Sequence, residues 1–163
     1  MAYDCYLKLE GIDGEATADG FDKQIGVYSF SWGASNPTSI TPGKGGIASS
    51  RVAVSSFNFM KQVDKSSVPL FQACCKGTHI TKATLTLRKA TGSKQEGFLI
   101  YTLEDVMVES VQQSGSSGGD DTPTESISLA FAKIEMEYKM QGKDGKLVAA
   151  GQGSWDLTKV TDK

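Results

Sequence analysis

The feature that most constrains the fold of this chain is an alternation of apolar and polar side chains, with a period of two residues, that recurs along the whole sequence. Cys5, Leu7 and Leu9 alternate with more polar neighbours, and the same period recurs across residues 84–88 and 127–131. Successive side chains of a β-strand point to opposite faces, so this period indicates strands with one buried face. The chain is therefore predicted to be mainly β.

Seven or so alternating segments are separated by turn residues. We predict strands at about 4–9, 25–33, 52–59, 79–89, 97–110, 125–141 and 147–157. The alternation changes parity at Ser55-Ser56 and again near Ala132-Lys133, as a β-bulge would require. Bulges supply curvature, so the strands favour a mainly antiparallel barrel or a tightly packed pair of sheets.

One short helix is predicted between residues 66 and 77. Ser66 or Ser67 suits the N-cap, Pro69 is tolerated in the first turn, and Gly77 suits the C-terminal end. The helix is expected to place an apolar stripe against a sheet. That stripe consists of Leu70, Phe71, Cys74 and Cys75.

The 163 residues predict a single domain, 1–163, that carries an extended loop at about 34–50. This loop contains Pro37, Pro42 and three glycines, and we expect no regular element in it. Loops of this length inside a compact domain are uncommon and often functional, although a mobile surface loop is the plain alternative.

Composition excludes several functions. The chain has 17 Lys and Arg against 19 Asp and Glu, a formal net charge of -2, which argues against binding nucleic acid or an anionic membrane. The three cysteines are an odd number and show no spacing typical of a disulfide framework, which predicts reduced thiols and folding in the cytoplasm. The N-terminal sequence does not show the pattern of a signal peptide, so we expect any export to use a route that does not depend on one.

No catalytic, metal or cofactor constellation is recognisable. His79 is the single histidine, and its place between the helix and the next strand predicts a structural role. A hydrolase that uses His79 with Cys74 or Cys75 is the enzymatic alternative. The segment 42–46 lacks the spacing of a phosphate-binding loop, so we expect neither a cofactor nor an enzymatic activity.

Several segments together resemble one family over essentially the whole chain. They are Tyr-Leu-Lys-Leu-Glu-Gly-Ile-Asp-Gly-Glu at 6–15, Ser-Phe-Ser-Trp-Gly at 29–33, Gly-Thr-His-Ile at 77–80, Ser-Gly-Ser-Ser-Gly-Gly-Asp at 114–120, residues 129–134 and Trp-Asp-Leu at 155–157. In this combination the chain resembles Hcp, the haemolysin-coregulated protein of the bacterial type VI secretion system inner tube.

The resemblance implies an antiparallel β-barrel of two packed sheets with one flanking helix, assembled into hexameric rings that stack into a tube. It also implies a trimeric spike protein, a contracting sheath and small effector proteins held in the channel as partners. The expected location is the cytoplasm before assembly and the extracellular space after secretion. The alternative is a tail-tube protein of a phage-like contractile particle that exports no effectors.

The residues themselves suggest where such contacts lie. Tyr28, Phe30 and Trp32 share one bulky face of their strand. If Phe30 and Trp32 enter the core, Ser29 and Ser31 point the other way, and we predict that they line the channel. The extended loop is the candidate for ring stacking, because head-to-tail stacking joins two different patches of one subunit. Its candidate residues are Thr41, Pro42, Gly43, Lys44, Gly45 and Gly46.

Overall fold

The computed structural model describes residues 3–40, 46–91, 94–119 and 121–162. It contains one helix, α1 (Ser67–Lys76), and thirteen strands within those ranges. The strands are β1 (Asp4–Leu9), β2 (Ile25–Gly26), β3 (Ser29–Ser31), β4 (Ala34–Ser35), β5 (Thr38–Ile40), β6 (Ile47–Ser49), β7 (Ala53–Val54), β8 (Phe57–Gln62), β9 (His79–Thr91), β10 (Lys94–Ser114), β11 (Thr124–Ala130), β12 (Lys133–Gln141) and β13 (Leu147–Asp156).

The main sheet follows the order β2-β1-β9-β10-β11-β8-β3, and every pairing in it is antiparallel. The long strand β10 belongs to two sheets. Its first half lies between β9 and β12, with β13 beyond β12, whereas its second half pairs with β11. Asp105 has a positive φ of 54° where β10 leaves β12. A left-handed residue there bends the strand from one sheet into the other.

The two end strands of this path are consecutive in the chain. β2 pairs with β1 and β3 pairs with β8, while Val27 N donates to Cys5 O at 3.0 Å and Tyr28 N to Met60 O at 2.8 Å. The segment 25–31 thus joins the two ends of the sheet around one core, although β2 and β3 do not pair with each other. The predicted mainly β, antiparallel fold with one helix is confirmed.

The alternation changes parity inside this segment. Ile25 and Val27, at odd positions, are buried. Further along, the residues that pack on the core are at even positions, Phe30 in β3 and Trp32 just after it. Tyr28, predicted to share their face, is 60% exposed. The switch occurs where the chain changes neighbours from β1 to β8, so it could not be read from the aromatic spacing.

The core consists of the inward side chains of the main strands. They include Leu7 and Leu9 of β1, Leu85 and Leu87 of β9, Leu103, Val106 and Val108 of β10, Ile127 and Leu129 of β11, and Phe57 and Phe59 of β8. The predicted parity changes coincide with strand breaks at 55–56 and 131–132, and each break is followed by new partners.

Helix α1 begins and ends where predicted, but Ser66 at its N-cap makes no side-chain capping bond, and the helix buries a different stripe. Gly77 adopts φ 64° and donates its N–H to Ala73 O, which closes the helix. Leu70 and Ala73 are buried and Cys74 packs on the core, whereas Phe71 is 56% exposed and Cys75 is exposed. Adjacent helical residues are about 100° apart, so Phe71 and Cys75 turn away once Leu70 and Cys74 face inward.

A buried ion pair holds α1 against the inner side of the sheet. The side chains of Lys61 in β8 and Glu125 in β11 are fully buried, and Lys61 Nζ lies 2.6 Å from Glu125 Oε2. Ser67 Oγ, in the first turn of α1, donates to Glu125 Oε2 at 2.9 Å and accepts from Lys61 Nζ at 3.1 Å. Asp64 Oδ1 accepts from Lys61 Nζ at 2.9 Å.

The extended loop is a β-ribbon, which corrects the expectation that it holds no regular element. β4 pairs with β7 and β5 pairs with β6, so residues 34–40 and 46–55 form a two-stranded extension that we call the arm. Ser50 N donates to Pro37 O and to Asn36 Oδ1, which ties the two strands together between these pairs. Proline and glycine disfavour regular strands, so the composition of this segment gave no signal of strands that are only two or three residues long.

Replacing Lys61 with Met should destabilise the protein by about 3–5 kcal/mol, because Glu125 would remain charged and buried without its partner. Urea unfolding followed by tryptophan fluorescence measures this loss. The double variant Lys61→Met with Glu125→Leu removes both charges and should recover most of the stability. A loss in Lys61→Met below about 1 kcal/mol, the range of exposed pairs, would contradict a buried pair.

The three free cysteines should differ sharply in reactivity. Burial raises the pKa of the Cys5 thiol to about 12, so only about one molecule in ten thousand holds the thiolate at pH 8. Cys75 is exposed at the end of α1. Iodoacetamide at pH 8 followed by peptide mass spectrometry should show Cys75 modified first and Cys5 modified only after unfolding in urea. Equal labelling of both in the native protein would contradict the described core.

Candidate functional site

The outer side of one sheet carries a largely uncharged surface that we call the polar face. Strands β3, β8, β11 and the second half of β10 are neighbours, and their buried side chains alternate with outward ones. The outward side chains are Ser29 and Ser31, Asn58, Met60 and Gln62, Ser110, Gln112 and Ser114, and Thr124, Ser126 and Ser128.

The strand register places these side chains in rows across four strands. Ser31 lies opposite Asn58, which lies opposite Ser128, which lies opposite Ser110. In the next row, Ser29, Met60, Ser126 and Gln112 follow one another in the same way. The rows are continuous, so the polar face is one surface built from distant parts of the chain.

The polar groups on this face are small and partly bonded to one another. Ser128 Oγ donates to Asn58 Oδ1, and Asn58 Nδ2 donates to Ser56 O at 3.2 Å. The hydroxyls of Ser114 and Thr124 lie 3.3 Å apart. The exposed carboxylate of Glu109, at the bulge of β10, borders this face and accepts from Ser56 Oγ. The rest of the surface offers hydroxyls and amides to water, so it carries little charge with which to attract or repel a passing protein.

The reverse side of the same strands is covered by α1. Lys61 and Glu125, which bond to Ser67 of the helix, point inward from β8 and β11, while Asn58 and Ser126 of those strands point outward. The helix and the polar face therefore lie on opposite sides of one sheet. Other outward surfaces differ, since β1 and β12 present charged side chains such as Lys8, Glu135 and Lys139.

Ser29 and Ser31 are exposed, and they lie on the polar face, which agrees with their predicted direction away from the core. Sequence reasoning named these two residues and missed the nine from other strands. An available signal was the alternation of small polar residues at 110–114 and 124–128. Their adjacency to Ser31 could not be inferred, because it depends on the order of strands in the sheet.

The arm places two apolar side chains in solvent. Ile40 and Ile47 are directly opposed across β5 and β6, and they are 76% and 72% exposed. Five of the six predicted stacking residues, Thr41 to Gly45, lie outside the described residues, and Gly46 is exposed beside β6. An exposed apolar pair on a projecting ribbon is suited to contact with another surface.

His79 begins β9 at the surface. Its Nε2 lies 3.0 Å from Asp105 Oδ1, at the bend of β10, and both side chains are more than half exposed. Cys74 Sγ instead contacts Glu109 O at 3.7 Å. In the described chain His79 thus pairs with a carboxylate at a strand bend and does not bond to either candidate nucleophile.

Within residues 3–40, 46–91, 94–119 and 121–162, no group of three or more His, Cys, Asp and Glu side chains is arranged to hold a metal ion. The part of the chain that the structure describes also contains no helix that is long and apolar enough to cross a membrane.

Residues 6–138 match the family model described as "Type VI secretion system effector, Hcp". The chain is 40% identical over 145 residues to Protein hcp1 of Pseudomonas aeruginosa, with 89% of this chain and 88% of the relative covered.

Solved structures agree with this match. One titled "Structure of a type six secretion system protein" is 34% identical with a TM-score of 0.93, covering 99% of this chain and 100% of the other. Hcp1 from Salmonella typhimurium is 32% identical with a TM-score of 0.82, and both chains are fully covered.

Proposed function

The chain belongs to the Hcp family of type VI secretion tube proteins, and on that premise we propose that it forms hexameric rings that stack into a tube and carry small effectors in the channel. The single observation that carries this proposal is the polar face, a continuous and largely uncharged surface on four neighbouring strands. In a ring, six copies of this face would line the channel. The helix on the reverse side of the sheet would then lie toward the outside.

An uncharged lining suits the passage of different cargoes. A channel with one sign of charge would hold oppositely charged proteins and repel the others, whereas hydroxyls and amides keep their water and bind weakly. Ser29 and Ser31 are part of this proposed lining, and Met60, 44% exposed, is the apolar side chain among the eleven. The proposed role is structural, with effectors as passengers and no chemical step.

Ring closure requires two different patches of one subunit to meet. Strand β13 has β12 on one side, and on one face of this pair Met136, Tyr138, Met140 and Val148 are between 44% and 51% exposed. Val68 and Phe71 of α1 form a second exposed apolar group, at 64% and 56%. These surfaces support the proposed contacts between neighbouring subunits, because exposed apolar patches commonly mark interfaces.

The remaining parts of the proposal come from the family. A sheath around the tube and a trimeric spike at its tip would be the other partners, and assembly would precede secretion from the cytoplasm without a signal peptide. The family match favours this type VI role over a phage-like particle that exports no effectors.

Size-exclusion chromatography with light scattering should give a mass six times that of the 17.4 kDa chain. A monomer at high concentration would reject the ring.

Thiol labelling of assembled tubes locates the channel. In a Cys75→Ser background, Ser31→Cys tests the polar face, and Lys8→Cys on the outer face of β1 is the matched control. A small maleimide should modify both introduced thiols, whereas a maleimide on a polymer wider than the channel should modify the Lys8→Cys control alone. Polymer labelling of Ser31→Cys in intact tubes would reject the channel assignment.

Replacing both Ile40 and Ile47 with Ser should leave rings intact but shorten the stacks, since burying an isoleucine contributes about 2 kcal/mol that serine cannot supply. Removing residues 40–47 should have a stronger effect of the same kind. The matched control is Thr38→Ala with Ser49→Ala, the neighbouring pair on the same ribbon. Electron microscopy measures tube length, and unchanged tubes in the deletion variant would contradict a stacking role for the arm.

A further inference from the structure

A groove of about 590 Å³ lies at the edge of the polar face, between β2 and the end of β8. Gly26 of β2 lines it, opposite Tyr6 of β1. This position is open, because a Cβ built on Gly26 would meet no atom within 4 Å. Gln62 of the polar face also lines the groove, and Ser29 follows directly on its lining residue Tyr28. The groove and the polar face therefore share a border.

Three tyrosines line this groove, which we call the tyrosine groove. Tyr28 is 60% exposed, Tyr3 is 50% exposed and Tyr6 is half-buried. A tyrosine ring is a large and rigid contact surface that loses little conformational entropy on binding. Aromatic side chains in a concave surface, together with a few polar groups, are typical of a binding site.

Two carboxylates of the groove each have an oxygen to offer. Asp4 Oδ2 accepts from Nε and Nη2 of Arg88, both at 3.3 Å. Glu15 Oε1 accepts from the N–H of Lys65 at 3.1 Å. Among the described residues, Asp4 Oδ1 and Glu15 Oε2 make no hydrogen bond. The third carboxylate, that of Asp64, is 13% exposed and belongs to the buried network under α1.

The tyrosine groove favours a cation. In the part of the chain that the structure describes, no lysine or arginine side chain lines it. Asp4 and Asp64 form ion pairs with Arg88 and Lys61, which leaves Glu15 as the lining carboxylate without a cationic partner among the described residues. A concave surface with unbalanced negative charge attracts a positively charged group.

The fold already holds one guanidinium with groups of this kind. Cζ of Arg88 lies 4.9 Å from the centre of the Tyr6 ring and 5.0 Å from that of Phe21. Its Nη2 donates to Asp4 Oδ2 at 3.3 Å and to the Tyr6 hydroxyl at 3.4 Å. A guanidinium is planar, so it can stack on an aromatic ring and donate to carboxylates at the same time. A second guanidinium therefore fits the chemistry of the tyrosine groove.

We propose that the tyrosine groove binds an arginine side chain that a small effector protein presents in the channel. This inference rests on the proposed function, since the groove borders the face proposed as the channel lining. The guanidinium stacks on Tyr28 or Tyr3, and its N–H groups donate to the open oxygens of Asp4 and Glu15. A lysine fits less well, because its ammonium is a compact and strongly hydrated charge that does not stack in this way.

Peptide binding tests the chemistry of the groove. Fluorescein-labelled Gly-Ser-Arg-Ser-Gly, and the same peptide with lysine or citrulline at its centre, are titrated with assembled rings while fluorescence anisotropy is measured. Citrulline has the shape of arginine without its charge, so its peptide should bind about tenfold more weakly, with the lysine peptide between the two. Equal binding of the arginine and citrulline peptides, or no binding of either, would overturn the inference.

Filling the groove should abolish the preference for arginine. Gly26 does not have a positive φ, so Gly26→Val is compatible with its backbone, and a β-branched residue suits a strand. This variant should bind the arginine peptide about tenfold more weakly, because the new side chain occupies the site. The matched control is Gly33→Val, at a glycine that also lacks a positive φ and has open space around its Cβ position. It should bind like the wild type.

Charge removal provides a second variant if Gly26→Val disturbs folding. Glu15→Gln keeps an oxygen that can accept from the N–H of Lys65, but it should weaken arginine binding about fivefold. The control is Glu135→Gln on β12, where the carboxylate likewise accepts one hydrogen bond, from Gln152 Nε2 at 2.9 Å. Unchanged affinity in the Glu15→Gln variant would show that the peptide binds elsewhere and would overturn the inference.

Assembled tubes test whether the arginine arrives from the channel. The free arginine peptide should bind to tubes, whereas the same peptide on a polymer wider than the channel should not. Equal binding of both would place the groove on the tube exterior and overturn a role in holding cargo. A peptide that binds to tubes only in the Arg51→Gln variant would show that the other arginine of a second copy occupies the groove, which would also overturn it.

The ring mass from light scattering on the same samples separates this inference from the proposed function. Rings of the expected mass that bind no arginine peptide would overturn the inference and leave the proposed function standing. A chain that forms no rings would instead overturn the proposed function.

Discussion

The buried pair of Lys61 and Glu125 is the interaction on which the two-sided character of this sheet depends. Both side chains are withdrawn from water, and the pair is satisfied by Ser67 from the first turn of α1 and by Asp64. Desolvating two charges is costly, so the arrangement is stable only while all partners stay in place. The consequence is that α1 is fixed to the inner side of β8 and β11, which leaves their outer side free.

That free side is defined by strand register. Along β8 and β11 each inward residue is followed by an outward one, which is polar except at Met60. A shift of pairing by one residue would therefore bring Lys61 and Glu125 to the surface and the serines of β11 into the core. Core packing and the proposed channel lining are thus set by the same hydrogen-bonded ladder.

Much of the fold was predictable from local patterns. The strands, the breaks at 55–56 and 131–132, the helix ends and the outward direction of Ser31 follow from residue period and turn chemistry, which act over a few positions. The errors share a cause. Phe71, Cys75 and Tyr28 were placed inward because they are apolar, but a neighbouring residue already filled the core. The strands of the arm escaped notice because two- and three-residue strands carry no periodic signal.

The sequence by itself determined the β class, the single helix and the family, because alternation, capping residues and motif order are encoded along the chain. It also determined the net charge of -2. Only the tertiary structure decided which strands are neighbours, and hence that small polar side chains from β3, β8, β10 and β11 form one largely uncharged face. These properties arise from contacts between residues far apart in sequence, and a local pattern holds no information about them.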